Sequence, residues 1–389
     1  MRRVSVLALL VAVATLTACS SGGATGRPGG GAAATGERAA PPSGRPAASS
    51  PVWLQSLEMI SATDGWALVW NANPDGNAAL EPARTSDGGR TWSAVTPTAA
   101  QPLLDNGTAL LYAASAERAW IAVNHGDSNS TVVFGTADGG ASWTESNSVL
   151  GYQPVAMDFA GPDQGWLLES QGAAMGHDPV QVYRTADGGA TWSLLAAGLP
   201  AECDKSGMAV SPAGTGWITS ACVLGYQVLV SPDGGAQWAA AQLPLPSSAC
   251  RGGCVAFQPQ FAGDITFLEV GSYPAPAVLL VSTDAGESWQ SESMPAGAGP
   301  YPRVTFFGSA DAIAVSAGAQ GIIGTDFYLT SDGGLSWSAV PQGRRFGSSG
   351  ASFDFVSPEL GFAWTSAGQQ LYQTRDSGRT WTVSTPQLG

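Results

Sequence analysis

Thr85-Ser86-Asp87-Gly88-Gly89-Arg90-Thr91-Trp92 decides the fold, because the chain returns to it six more times. The later copies are Thr136–Trp143, Thr185–Trp192, Ser231–Trp238, Ser282–Trp289, Thr330–Trp337 and Thr374–Trp381. All obey [Ser/Thr]-x-Asp-x-Gly-x-x-Trp, with the acid at Asp87, Asp138, Asp187, Asp233, Asp284, Asp332 and Asp376. Successive Asp residues lie 51, 49, 46, 51, 48 and 44 residues apart. A pattern held at that spacing marks one supersecondary unit used again and again.

Each position has a physical task. The Asp carboxylate is expected to accept backbone amides two or three residues on and so close a turn. The Gly two places after it supplies a positive φ that a side chain would resist. The closing aromatics, Trp92, Trp143, Trp192, Trp238, Trp289, Trp337 and Trp381, begin the next strand and cover the corner. These Asp and Trp residues therefore read as structural.

A second phrase precedes each corner at constant phase: Gly65-Trp66, Ala119-Trp120, Gly165-Trp166, Gly216-Trp217 and Gly361-Phe362, weakened to Thr266-Phe267 and Ala312-Ile313. Another apolar stretch lies before it, as in Val155–Phe159. Each repeat thus predicts an inner strand, a tight turn, the Gly-Trp strand, a longer loop, a third strand, the corner and a Trp strand. The expected fold is all-β: a seven-bladed β-propeller of four-stranded antiparallel blades, one Asp corner per blade. The first and last blades should pack to close the ring, with residues 51–54 adding an edge strand.

The corner phrase resembles the Asp-box, or BNR, propellers over about residues 51–385. The Gly-Trp…Thr-x-Asp-Gly-Gly-x-Thr-Trp wording is most similar to the photosystem II stability and assembly factor group. That resemblance implies help with assembly of a membrane complex. The shared motif is a turn, so it speaks for fold more than for chemistry.

Residues 1–18 read as a leader, with Arg2 and Arg3 ahead of the apolar run Val4–Ala18. Leu16-Thr17-Ala18-Cys19 resembles the lipobox of bacterial lipoproteins, which implies cleavage before Cys19 and lipid on its thiol. Two or three acyl chains hold a protein stably on a membrane. Residues 19–50 hold almost nothing but Gly, Ala, Ser, Thr, Pro and Arg, which predicts a disordered tether. Residues 51–389 form the expected propeller, placed at the cell membrane on its extracytoplasmic side. The net charge is −14 and Lys occurs once, which argues against nucleic acid as a partner.

Four cysteines remain, and an exported chain favours disulfides over a zinc site with all four as ligands. Cys203 pairs most simply with Cys222 across a hairpin, and Cys250 with Cys254 through two glycines. No cofactor or metal pattern is present.

The alternative function is a sialidase-like or other carbohydrate-active enzyme. Sialidases need three arginines around the substrate carboxylate, the first of them in an Arg-Ile-Pro motif ahead of the first corner. No Arg lies between Pro51 and Arg84, and the nearest echo is Pro302-Arg303-Val304 in the wrong repeat. No catalytic residue is assigned, and the reading is a non-enzymatic protein-binding or complex-assembly scaffold. Its partner, an unidentified protein or membrane complex, should sit on the longer loops opposite the corners. Arg344, Arg345, Arg303, Tyr301, Tyr273 and Arg251 are the candidate contacts, because Arg and Tyr anchor interfaces.

Overall fold

The computed structural model describes residues 50–389 apart from 73–77, 105–107, 126–128, 175, 274, 296, 318–322, 342–345, 347–350 and 366–368. The expected leader, Cys19, most of the tether, and Arg344 and Arg345 lie outside the described residues.

Alternating and apolar runs of five to eight residues, punctuated by Gly and Asp, fold as antiparallel meanders. Around Asp87, strands Trp53–Met59, Gly65–Ala72, Ala78–Thr85 and Thr91–Ala94 pair in chain order. The same order recurs around Asp187 with Gln153–Phe159, Gly165–Ser170, Val180–Thr185 and Ser193–Ala196. Asp332 and Asp376 sit in sheets of the same four-stranded order. The chain is an all-β molecule whose sheets share one pattern. Among the described residues its one helix is the single turn Gln101–Leu104.

The second strand of each meander is the most apolar because neighbouring sheets cover both of its faces. Gly165–Ser170 is buried at every position. Its Trp166 packs with Met208, Val210 and Ile218 of the following sheet.

Inner-strand acids join sheet to sheet. Glu58, Asp158 and Asp354 each stand directly across from the aromatic of the Gly-Trp phrase, Trp66, Trp166 and Phe362. Each reaches the next sheet's inner strand. The N–H of Ala113 donates to Glu58 Oε2 at 2.6 Å, and that of Val210 to Asp158 Oδ2 at 2.8 Å. The third of these bonds runs from the Met59 N–H to Asp354 Oδ2 at 2.6 Å and spans 295 residues of sequence. Phe362, Trp364 and Leu371 share one core cluster with Leu57, Met59 and Trp92, so the first and last sheets abut.

One local expectation changes, and one interblade loop adds a strand. Trp53 onward belongs to the inner strand, and only Ser50–Pro51 forms an added edge, pairing with Gln387–Leu388. Gln387–Leu388 in turn lies parallel to Thr91-Trp92, so both ends of the described chain finish one sheet. The loop Ala241–Cys254 ends in a strand, Cys254–Ala256, wedged between Gly216–Cys222 and Ile265–Ser272. It fuses the Asp233 and Asp284 meanders into one sheet.

Candidate functional site

The corners come first, because their carboxylates are the most repeated chemical groups in the chain. At Asp87, Oδ1 accepts the N–H of Arg90 and of Thr91, and Oδ2 accepts the Thr91 hydroxyl. The acid therefore ties amides three and four residues on, one farther than the turn rule suggests, because the turn is wider. Thr85 donates its hydroxyl to Asp87 and accepts the Gly89 N–H, which links both ends of the corner. The hydroxyl of Ser142, then its amide, holds the Asp138 carboxyl down at about 2. Asp284 and Asp332 are held there in the same way by Ser288 and Ser336. These acids are ionised at neutral pH, and each is engaged by its own turn.

The residue directly after the Asp is also left-handed, with φ of 78° at Gly88 and 73° at Gly188. Ala285 and Ser377 occupy that place with φ of 59° and 62°. A left-handed Cβ costs about 1–2 kcal/mol, partly offset by the larger unfolded-state freedom of Gly. Ala285→Gly should therefore stabilise the chain by about 0.5–1 kcal/mol, read from its urea midpoint. An unchanged or lower midpoint would refute that account of the corner.

Trp92, Trp192, Trp238, Trp337 and Trp381 donate their indole N–H to the Gly carbonyl of their own corner. Trp143 instead donates to the Val95 carbonyl of the preceding sheet, at 2.8 Å. Trp289 packs edge-on to Trp217, 5.6 Å between ring centroids.

The corner amides also fix which ends of the strands lie together. Gly88, Gly139 and Gly188 donate their N–H groups to the carbonyls of Thr63, Glu117 and Asp163, in the turns that precede the second strands. Corners and short turns therefore share one end of the sheets, and the longer loops occupy the other.

At the loop end, one knuckle is built from the pieces around Cys254–Ala256. Cys203 is joined to Cys222 and Cys250 to Cys254. Cys222 and Cys254 are direct strand partners, so the two bridges lie side by side. Gly252 N–H donates to the Tyr273 carbonyl, and Tyr273 N–H to the Gly253 carbonyl. Lys205, the sole lysine of the chain, is buried beneath, its ammonium on the carbonyls of Glu202 and Cys203 and on Gln227 Oε1. Burial pushes its pKa down, against the pull of Asp178.

On this stapled base the apolar side chains of Val223, Leu224 and Tyr273 are 81%, 73% and 43% exposed. Closing the Cys203–Cys222 loop, a separation of 19 residues, is worth about 3 kcal/mol. The unreduced, denatured chain should present no thiol from these four cysteines to a titrant. Reductant should lower the unfolding midpoint.

The expected partner residues separate. Tyr273 and Tyr301 come together beside the Gly252-Gly253 turn: a Cβ on Gly252 would touch the Tyr273 ring, and one on Gly253 would lie 3.7 Å from the Tyr301 hydroxyl. Burial, then Tyr273, pushes the Tyr301 hydroxyl up. Arg251 is exposed and its Nε donates to the Ser247 carbonyl.

Arg303, expected as a partner contact on the long loops, lies elsewhere. It opens the inner strand Arg303–Phe306, where alternation turns it inward, and its guanidinium lies 3.9 Å over the Phe257 ring. It lines a cavity of about 60 Å³ between inner strands, with Tyr112, Met157, Gln258 and Glu269 among the other walls.

Glu269 and Glu169 are not among the residues the sequence singles out. Both stand inside apolar strands, in Phe267-Leu-Glu269-Val and Trp166-Leu-Leu-Glu169, and that misplaced charge is the available signal. Burial pushes each carboxyl up to about 8, opposed at Glu269 by Arg303 and at Glu169 by the Thr131 hydroxyl. Among the described residues no group of three or more His, Cys, Asp or Glu is placed to hold a metal.

Comparison with known proteins matches no family model and no curated protein. Among solved structures the chain is similar to YCF48 from Cyanidioschyzon merolae, at 16% identity and TM-score 0.57, over 85% of this chain and 97% of that one. It is similar to YCF48 bound to D1 peptide, at 17% identity and TM-score 0.53, over 85% and 91%. A polysaccharide lyase of family PL25, an ulvan lyase, aligns at 10% identity and TM-score 0.51, over 87% and 95%. At such identities the likeness establishes the fold, a β-propeller shared with YCF48 and with carbohydrate-active proteins.

Proposed function

We propose that this chain is a seven-bladed propeller, held outside the cytoplasmic membrane by lipid on Cys19, that binds a protein partner at its loop end. Seven corners, each closing its own turn, and the Met59–Asp354 bond between first and last sheets support the ring. The observation that carries the binding role is the knuckle: exposed apolar side chains, two of them adjacent in sequence, on a base held by two disulfides. Soluble proteins expose such groups together chiefly where something else covers them, and a rigid base lowers the entropy lost on docking. YCF48 has the same fold, and its complex with D1 peptide is a case of that fold holding a polypeptide.

The binding reading is favoured over glycan cleavage by the cavity between the inner strands. Among the described residues its wall carries one carboxylate, Glu269, and one arginine, Arg303. Carboxylate-pair glycosidases need two carboxyls flanking one bond, and sialidases need a cluster of arginines.

The test is crosslinking and capture from membranes with the intact lipoprotein, beside a Val223→Asp/Leu224→Asp variant. Wild type should retain a partner that the variant loses while its unfolding midpoint stays put. Equal capture by both forms would refute the knuckle as the docking surface.

A further inference from the structure

We propose that the cavity between the inner strands is a binding site for a small aliphatic monocarboxylate, with Arg303 as its cationic anchor. None of the Arg303 guanidinium nitrogens donates a hydrogen bond to a described residue, and Nη1 is shielded from solvent without a partner. Leaving a buried guanidinium donor unmade is costly, and Nη1 is such a donor. Stacking on Phe257 fixes the plane of the group but does not satisfy that donor.

Glu269 does not hydrogen-bond the arginine, although the two charges act on each other. No ion-pair contact joins them, its Oε2 already accepts the Val304 N–H at 3.2 Å, and its Oε1 is unpartnered. Burial pushes its carboxyl up, against the pull of Arg303, and leaves Nη1 of the arginine unpaired. The unmet demand of the cavity is for an acceptor at Nη1, and a carboxylate meets it best.

The remaining wall sets the class of ligand. Leu110, Leu111, Val155, Ala156 and Met157 line it, so the anion is expected to carry a short hydrocarbon tail. The other polar groups are occupied within the protein. Gln258 donates to the Met208 carbonyl and the Ser206 hydroxyl to that of Ala256, while Gln260 spans the Val304 carbonyl and the Phe306 N–H. A volume of about 60 Å³ holds about four to six water-sized atoms, which suits acetate to butyrate and is too small for a sugar. Arg and a carboxylate form paired hydrogen bonds that inorganic chloride does not reproduce.

The experiment is calorimetric titration of the full chain in detergent with acetate, propionate and butyrate, against propionamide and chloride. The carboxylates should bind saturably in the millimolar range, and more tightly with chain length until the cavity is filled. Propionamide should not bind. Arg303→Gln should weaken propionate at least about tenfold, the loss of one charge-assisted contact. Glu269→Gln, which keeps a neutral donor, should hold affinity within a few-fold. The near-ultraviolet circular dichroism of the tryptophans reports whether each variant stays folded. Absence of saturable carboxylate binding to wild type, or chloride binding equally well, overturns the assignment, and neither result depends on a variant folding.

Discussion

Glu169→Gln should make the folded chain markedly more resistant to urea at about pH 9 and leave it almost unchanged near pH 4. Glu169 is 0% exposed, and neither carboxylate oxygen makes a well-formed hydrogen bond. Its surroundings are the Gly151 backbone, Thr131 and the Tyr183 hydroxyl, so nothing nearby balances a negative charge. Burial raises its pKa from 4.5 to about 8.

The sign of the effect follows from which state holds the proton. Between those values the folded chain keeps a proton that the unfolded chain has released, so stability falls as pH rises through that window. The whole shift corresponds to about 4–5 kcal/mol, and the glutamine variant should escape that loss. Unfolding midpoints at several pH values measure it. Parallel pH curves for wild type and variant would show that Glu169 is ionised in the fold and that its burial has been misread.

Trp120→Ala should destabilise the chain by about 3–5 kcal/mol, among the largest single losses available. The Trp120 ring is buried, stacked on Phe159 at 3.7 Å, and its Nε1 donates 2.7 Å to the Gly188 carbonyl of the next sheet's corner. Trp166 makes the matching bond to Gly234. Trp217, at the same place in its own sheet, is equally buried, yet its Nε1 has no partner. The corner it faces is the one that carries Ala285 in place of glycine.

Substitution by Phe separates the two parts of this energy. Trp120→Phe leaves the Gly188 carbonyl unpaired, whereas Trp217→Phe removes a donor that was already unpaired. The first should cost about 1–2 kcal/mol more than the second. Equal costs would mean that the indole N–H bonds between sheets contribute nothing.

Much of the architecture is legible because each corner is a local device. Asp87, Thr85 and Gly89 solve a turn within eight residues, and the same solution is visible wherever those letters recur. The Gly-Trp phrase marks the second strands for a similar reason, since burial on both faces demands apolar residues in sequence. Less is legible at the site. Tyr273 and Tyr301 read as loop residues and do meet at the loop end, but Arg303, read as a loop contact, belongs to a cavity wall. Glu58, Asp158 and Asp354 look like ordinary acids among 29 after residue 50, and they are the bonds between neighbouring inner strands.

The repeating unit, its strand order and the role of its corners can be read from the residues, because those rest on contacts a few residues apart. Which groups meet across sheets is set by the packed fold: the Asp354–Met59 bond, the strand wedged beside two disulfides, and the unpartnered Arg303 Nη1 and Glu269 Oε1 in one cavity. Such meetings join residues tens to hundreds of positions apart. They depend on how sheets tilt and pack, and one repeat read alone carries no record of that geometry.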